Sequence, residues 1–393
     1  MLYTLLQQTQ KWLDDHGLYQ IVMVLNQLEF RAFFAVVVSF TIVLLFGKRT
    51  IRWLMKQKIG DAPEFYNADV NKLMAGKAST PTMGGVLICA SITLTILLLA
   101  DLRNSYVHQA LIVLVWLAGV GGFDDWLKLT ASRRNAKSRE GMLAWEKLLF
   151  QLGIGAVAGF FLYRAGVDPN GGQSAAHALS LPFQRTYVPQ VEPLQLEDSV
   201  IVLGSSMFVL LATLLIAGTS NAVNLTDGMD GLAGGTLCIA SFTMMALSFI
   251  AGKIEIAGFL LLPHVPGTQE MMVVSGAMAG ACLGFLWFNC APAKVFMGDT
   301  GSLPLGGLLA YIAVAIRQDV LLIVIGGVFF MEMASVMLQV GYFKLTRGKR
   351  IFRCSPIHHH FHLAGWSEQQ VVTRFWILGV VFAMIALVSL KLR

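Results

Sequence analysis

The sequence predicts an all-α polytopic membrane protein with about ten transmembrane helices, both termini periplasmic, and its polar chemistry gathered in a cleft on the cytoplasmic side. Three observations predict this. First, the 393 residues are 56% hydrophobic and only 13% charged, with a mean hydropathy of +0.66, whereas soluble domains carry about 25% charged residues. Second, long stretches carry no charge at all, among them Ala78–Ala100, Asn104–Phe123, Val200–Thr226, Gly231–Gly252 and Met271–Ala293. They approach or exceed the roughly 20 residues a helix needs to cross a bilayer core, and a helix satisfies its own backbone where lipid cannot. Third, the basic residues are lopsided. The loops after predicted spans one, three, five, seven and nine carry seven, six, no, one and six Lys or Arg, which is 20 of the 29 in the chain. The positive-inside rule places those loops in the cytoplasm. The net charge of +6 is thereby explained by membrane orientation, with no nucleic acid as partner.

The elements follow in order. Residues 1–30 mix acids and amides with apolar residues and lack the basic-then-apolar pattern of a cleavable signal. They are expected to form an interfacial helix. Spans are expected at Ala32–Gly47, Ala78–Ala100, Asn104–Phe123, Leu148–Tyr163 and Val200–Thr226. A second group follows at Gly231–Gly252, Met271–Ala293, Thr300–Ile316, Val320–Phe343 (interrupted by Glu332) and Phe375–Leu390. Residues 165–199 form the one long outer loop, in which LPFQRTYVPQVEPL is expected to make a small periplasmic hairpin. The stretch LLLPHVPGTQ is too short and proline-broken to cross, and is expected at the outer surface. Residues 344–370 form a cytoplasmic histidine-containing loop. No repeat or low-complexity linker divides the chain, which predicts one integral membrane domain over 1–393. The five cysteines are scattered without a CxxC pair, as expected of small packing residues.

Polar residues collect in five inner loops: STPTMGG (79–85), DDWLKL (124–129), NAVNLTDGMDG (221–231), WFNCAPAKVFMGDTGS (287–302) and CSPIHHHFHLAGW (354–366). Asp227 and Asp230 share a loop that holds no Lys or Arg, so they call for a metal ion or a ligand's donors. Asp299 lies between Gly298 and Gly301 just before a span, where backbone N–H groups favour an anion and the carboxylate can hold Mg2+. His358, His359 and His360 are consecutive, so they cannot all face one metal on regular backbone; phosphate contacts suit them better than zinc. Lys77, followed by Thr80 and Thr82, is either an orienting charge or a substrate contact. Glu332 is deep in a span, which makes it either functional or paired within the bundle. In DDWLK, Asp124 and Asp125 point to different faces if helical. Lys128 stands where the diphosphate-gripping DDxxD pattern of prenyl synthases has an acid.

The ordered set TPTMGG, DDWLK, NAVNLTDGMDGL, GFLWFNCAPAKVFMGDTGSL and PIHHHF, spanning about Thr80 to Trp376, resembles the phospho-N-acetylmuramoyl-pentapeptide transferases (translocase I). These belong to the polyprenyl-phosphate N-acetylhexosamine-1-phosphate transferase superfamily. PIHHHF followed by GWSE and RFW points to this branch over the GlcNAc-1-phosphate branch. The resemblance implies ten spans, a cytoplasmic active-site cleft in the bacterial inner membrane, a homodimer and Mg2+ dependence. It implies transfer of phospho-MurNAc-pentapeptide from UDP-MurNAc-pentapeptide to undecaprenyl phosphate, giving lipid I and UMP, the first membrane step of peptidoglycan synthesis in cell-wall biogenesis. By motif position, Asp299 would be the Mg2+ ligand, and Asp124 and Asp125 would be catalytic acids. Lys77, Asn224, Asp227, Gly228, Asp230, Asn289 and Phe296 would line the nucleoside and diphosphate pocket. His358 and His359 would contact phosphate or the nucleotide sugar; Thr82, Lys128 and His360 join the expected substrate-binding set. The chain departs from the family where His362 and Ala364 replace the usual Glu and basic residue after HHHF. Two rivals stand beside this reading: a GlcNAc-1-phosphate transferase, and a secondary transporter, whose polar groups would lie near the midplane rather than at inner span ends.

Overall fold

The structure, a computed structural model, describes residues 2–17, 19–57, 80–130, 141–167, 174–189 and 193–390. Regular structure among these residues is helical apart from two isolated bridges. The helices are α1 (Leu2–Asp15), α2 (Tyr19–Val22), α3 (Leu28–Lys56), α4 (Gly85–Leu99), α5 (Ser105–Thr130), α6 (Ala144–Ala165), α7 (Ser205–Thr226) and α8 (Leu232–Gly252). There follow α9 (Ile254–Phe259), α10 (Met271–Asn289), α11 (Asp299–Ala315), α12 (Asp319–Ile325), α13 (Gly327–Leu345), α14 (Ile357–Leu363) and α15 (Glu368–Ser389).

Among the described residues, eight helices are long and apolar enough to cross a membrane: α3, α5, α6, α7, α8, α10, α13 and α15. This makes the chain a multi-pass membrane protein. The two remaining predicted spans fall on α4 and α11, which have 15 and 17 residues. The start of α4 moves inward from the predicted Ala78 for a physical reason, while α11 starts within one residue of its predicted place. The TPTMGG segment stays outside the helix as far as Gly84, because Phe296 N–H donates to the Pro81 carbonyl (2.8 Å) and Gly84 and Gly85 N–H donate to the carbonyls of Phe296 and Met297 (2.8 and 2.9 Å). The predicted ninth span is interrupted at Gly326, which separates α12 from α13.

Every residue of α11 is buried. The helix is apolar on all sides, as a helix without a solvent face must be, and it packs against α5, α7 and α8. Small residues bring its neighbours close: a Cβ on Gly306 would lie 2.6 Å from the Thr219 carbonyl of α7. A second close pair is α3 with α10, where Gly276, Gly280 and Gly284 face the backbone of Ala32, Val36 and Phe40. Lipid gives no hydrophobic drive between helices, so such contacts hold by backbone approach. A Cβ on Gly280 would collide with the Val36 carbonyl. Gly280→Ala is therefore expected to destabilise the bundle by about 1–3 kcal/mol, read as a lower melting temperature in detergent; an unchanged melt would show that α3 yields freely.

Ion pairs mark the end of the bundle opposite α11's first turn. Arg31 at the start of α3 makes two bonds to Glu270 (2.7 and 2.9 Å) and one to the Leu99 carbonyl closing α4. Arg317, after α11, pairs with Asp319 at 2.7 Å and donates to the Ala178 carbonyl. In residues 174–202, Val188 N–H donates to Gln195 and Glu197 N–H to Thr186. The five polar loops lie at the other helix ends. All five cysteines are free, with Cys89, Cys238 and Cys282 buried.

Candidate active site

The site begins with a close approach of two helices. Gly121 of α5 faces the Asp299 backbone, where any side chain would collide. That contact places the α5 acids at the N-terminus of α11, where backbone N–H groups lack intrahelical partners. Asp125 takes them. It accepts from Asp299 N–H (3.2 Å), Thr300 N–H (2.9 Å) and the Thr300 hydroxyl (2.6 Å). A residue of one helix thus caps another. Asp124, one position earlier and about 100° round the helix, faces elsewhere. It accepts from Met142 N–H (2.6 Å) and pairs with Lys128 (2.8 Å) and Lys147 (2.9 Å).

These two lysines also reach Asp299. Its Oδ2 lies 2.8 Å from Lys147 Nζ and 3.3 Å from Lys128 Nζ. Two carboxylates and two ammonium groups therefore alternate, with Asp124 wholly buried and Asp299 8% exposed. The sequence pattern does not single out Lys147, which is one of the six basic residues in the loop after span three. One signal could have found it: AWEKLLF puts this lysine in the opening turns of α6, where the helix dipole disfavours a cation unless an anion lies near.

Asp124, Asp125 and Asp299 each offer an oxygen within 4.8 Å of the others. Hard carboxylate oxygens suit Mg2+. Three acids against two lysines leave one negative charge in excess, so the donor set fits a divalent cation. Asp125 is the poorest ligand of the three, because its oxygens already hold the α11 N-terminus. Asp125→Ala is accordingly expected to lower thermal stability by about 1–3 kcal/mol, the cost of buried donors left unpaired. Asp124→Ala should shift the melt less, since it strands one part-buried backbone donor, Met142 N–H, while Asp299 still faces both lysines. Parallel melting curves check this; equal shifts would contradict the capping role.

Around this centre stand two loops. Gly298, at φ 71°, turns the chain into α11 in a conformation open chiefly to glycine. A Cβ there would sit 2.6 Å from an Asp125 oxygen and 2.9 Å from the Thr82 hydroxyl, so Thr82 belongs to the same cluster. Phe296 is partly exposed beside it. Asp227, in the turn between α7 and α8, has its carboxyl pushed well above the usual range, by burial first and then by the carboxylates of Asp299 and Asp125; a Gly298 N–H bond opposes this. Asn224 is partly exposed and its carbonyl closes that turn on Asp227 N–H.

Other expected residues serve the frame. Asn289 accepts from Gly231 N–H (3.0 Å) and donates to the Val295 carbonyl (2.8 Å). Asp230 accepts from Ala293 N–H (2.9 Å). Together they tie the Asp227 loop to the loop before Asp299. His358 is fully buried, with Nδ1 3.2 Å from Glu332. The intramembrane acid thus has a partner in the bundle. His358 Nε2 lies against Gly228, where a Cβ would collide with it. His359 is buried next to it, with ring centroids 4.2 Å apart. His360 turns away and accepts from Arg353 N–H (3.1 Å), as three consecutive side chains on a short helix must diverge. Lys77 lies outside the described residues.

A family model described as glycosyl transferase family 4 matches residues 107–317. A second, described as phospho-N-acetylmuramoyl-pentapeptide-transferase signature 1, matches residues 77–89. The phospho-N-acetylmuramoyl-pentapeptide-transferase of Desulfotalea psychrophila is 41% identical over 371 residues, covering 94% of this chain and 95% of its own. Its counterpart from Oleidesulfovibrio alaskensis is 42% identical over 373 residues, covering 95% and 96%. That of Thermodesulfovibrio yellowstonii is 40% identical over 393 residues and 100% of both chains.

Proposed function

Because the chain belongs to the phospho-N-acetylmuramoyl-pentapeptide transferase family, we propose that the alternating square of Asp124, Lys128, Asp299 and Lys147 is its catalytic centre. The enzyme transfers phospho-MurNAc-pentapeptide from UDP-MurNAc-pentapeptide to undecaprenyl phosphate, giving lipid I and UMP. An oxygen of the lipid phosphate attacks the sugar-linked phosphorus. The bond from that phosphorus to the bridging oxygen breaks, and UMP leaves. Phosphoryl transfer needs positioning and charge neutralisation more than covalent help from the protein. The observation that carries the assignment is the pair of lysines bridging Asp124 and Asp299 at 2.8–3.3 Å. The lysines neutralise phosphate oxygens. Asp124 orients the lipid phosphate and accepts its proton if that phosphate arrives protonated. Asp125 holds Asp299 in place. Asp299, with Asp124, would hold Mg2+, which supplies charge neutralisation to the diphosphate when bound. Asp227, Gly228 and His358 line the nucleotide-sugar side, while Asn289 and Asp230 fix its walls.

The proposal includes ten crossings, with α4 and α11 as the short ones. Because α11 is buried on every side, its length need not match the bilayer. It also includes both termini outside, the site facing the cytoplasm across the inner membrane, and a homodimer. The basic loops and the gathering of polar loops at one bundle end support this orientation. The test is UMP release by purified enzyme with undecaprenyl phosphate, offering UDP-MurNAc-pentapeptide or UDP-GlcNAc with and without Mg2+. Turnover of the muramoyl substrate alone, and only with the metal, is expected. Turnover of UDP-GlcNAc alone would move the chain to the rival branch.

A further inference from the structure

Gln151 is a fully buried polar side chain on α6, a helix whose outer face is exposed at Trp145 and Leu149. It lies four residues after Lys147, one turn further along the same face. Its amide faces inward and uses both ends. The Oε1 accepts from Asn221 Nδ2 (2.6 Å), and Nε2 donates to the Ser220 hydroxyl (3.2 Å). That hydroxyl in turn donates to the Leu303 carbonyl of α11 (2.9 Å). Leu303 stands four residues after Asp299, and Asn221 stands six before Asp227. One amide therefore ties together the three helices that present Lys147, Asp227 and Asp299.

The rest of the α6 contact with α7 is smooth. A Cβ on Gly155 would lie 2.9 Å from Thr213 Cα, and one on Gly159 2.9 Å from Ala212 Cβ. Small residues let two backbones approach, but they present nothing that stops one helix from turning or sliding against the other. Hydrogen bonds are directional, so the amide supplies the missing restraint one turn from the lysine. We infer that Gln151 is a positioning residue for Lys147, fixing the rotation and height of α6 so that the ammonium falls between Asp124 and Asp299. The inference rests on the proposed function and extends it to a residue that touches neither the acids nor the lysines.

Gln151→Met keeps the length of the side chain and removes both bonds. Neither partner is stranded, because Asn221 Nδ2 still donates to the Ala217 carbonyl (2.8 Å) and Ser220 to Leu303. The fold should hold, while kcat/KM for UMP release is expected to fall about tenfold to a hundredfold, the effect of a group displaced by about 1 Å. Ser220→Ala cuts the chain at its middle and should lower kcat/KM by a smaller factor. Ser241→Ala, on α8, removes a buried hydroxyl that bonds to the Leu237 carbonyl of its own helix (2.6 Å), and should leave kcat/KM unchanged. The deciding measurement is a double-variant cycle. In a Lys147→Met background, Gln151→Met should cost less than about twofold more, because the group it places is gone; general damage to packing would multiply the two losses. If Gln151→Met lowers the melting temperature, the same cycle with Ser220→Ala reads the link. Unchanged kcat/KM in Gln151→Met would overturn the inference. So would losses that multiply in the double variant when Lys147→Met is itself impaired, and the catalytic square would then stand without it. Full activity of Lys147→Met would reject the square and the inference together.

Discussion

Asp299→Asn is expected to lower kcat by about a thousandfold or more, a loss of roughly 4 kcal/mol in transition-state stabilisation. The substitution keeps the side chain's size and one accepting oxygen but removes the charge that two lysines share. It also removes the carboxylate best placed for the metal, since Asp125 spends its oxygens on Asp299 N–H, Thr300 N–H and the Thr300 hydroxyl. The fold should survive, because those cap bonds use the backbone of residue 299 and not its side chain. UMP release across a Mg2+ titration, beside a melting curve, is the measurement. Near-normal turnover at low Mg2+ would remove Asp299 from the metal site.

Lys147→Met is expected to cost about a hundredfold to a thousandfold in kcat/KM, within the range seen when a preorganised electrostatic contact is lost. Lys147 Nζ touches Asp124 at 2.9 Å and Asp299 at 2.8 Å; without it, two buried carboxylates face one remaining lysine. Methionine keeps the stem, so packing changes little. Lys147→Arg should recover part of the activity, because the charge returns with a different reach. If Lys147→Met retained most of its kcat/KM while Lys128→Met did not, Lys128 would be the only cation the reaction uses.

The helices at all ten predicted positions were legible because charge-free runs have few alternatives in lipid. Their ends were not. The start of α4 depends on TPTMGG pairing with residues 296 and 297, a contact between segments more than 200 residues apart. The same limit governed the site. Asp124, Asp125, Asp299 and Lys128 stand out as charges at span ends. Lys147 sits among a run of basic residues that the membrane explains without it. Adjacency in sequence gave Asp124 and Asp125 equal standing, whereas the fold separates a group facing the lysines from one facing a helix N-terminus. The division of the three histidines followed from local geometry, but the pairing of His358 with Glu332 needed the tertiary structure.

The burial of α11 also has a consequence for motion. Helix ends ordinarily fray at little cost, and active-site parts that move are drawn from such weakly held segments. Asp299 occupies a helix end that cannot fray alone. Its first turn is clamped by a carboxylate from α5, and every residue behind it is enclosed by the bundle. Opening it means opening the protein. Whatever rearrangement turnover demands must therefore fall to the partners, and the lysine side chains, 33% and 19% exposed against 11% for the Asp299 side chain, are the less enclosed ones. The acid is the fixed point, and the cations move about it.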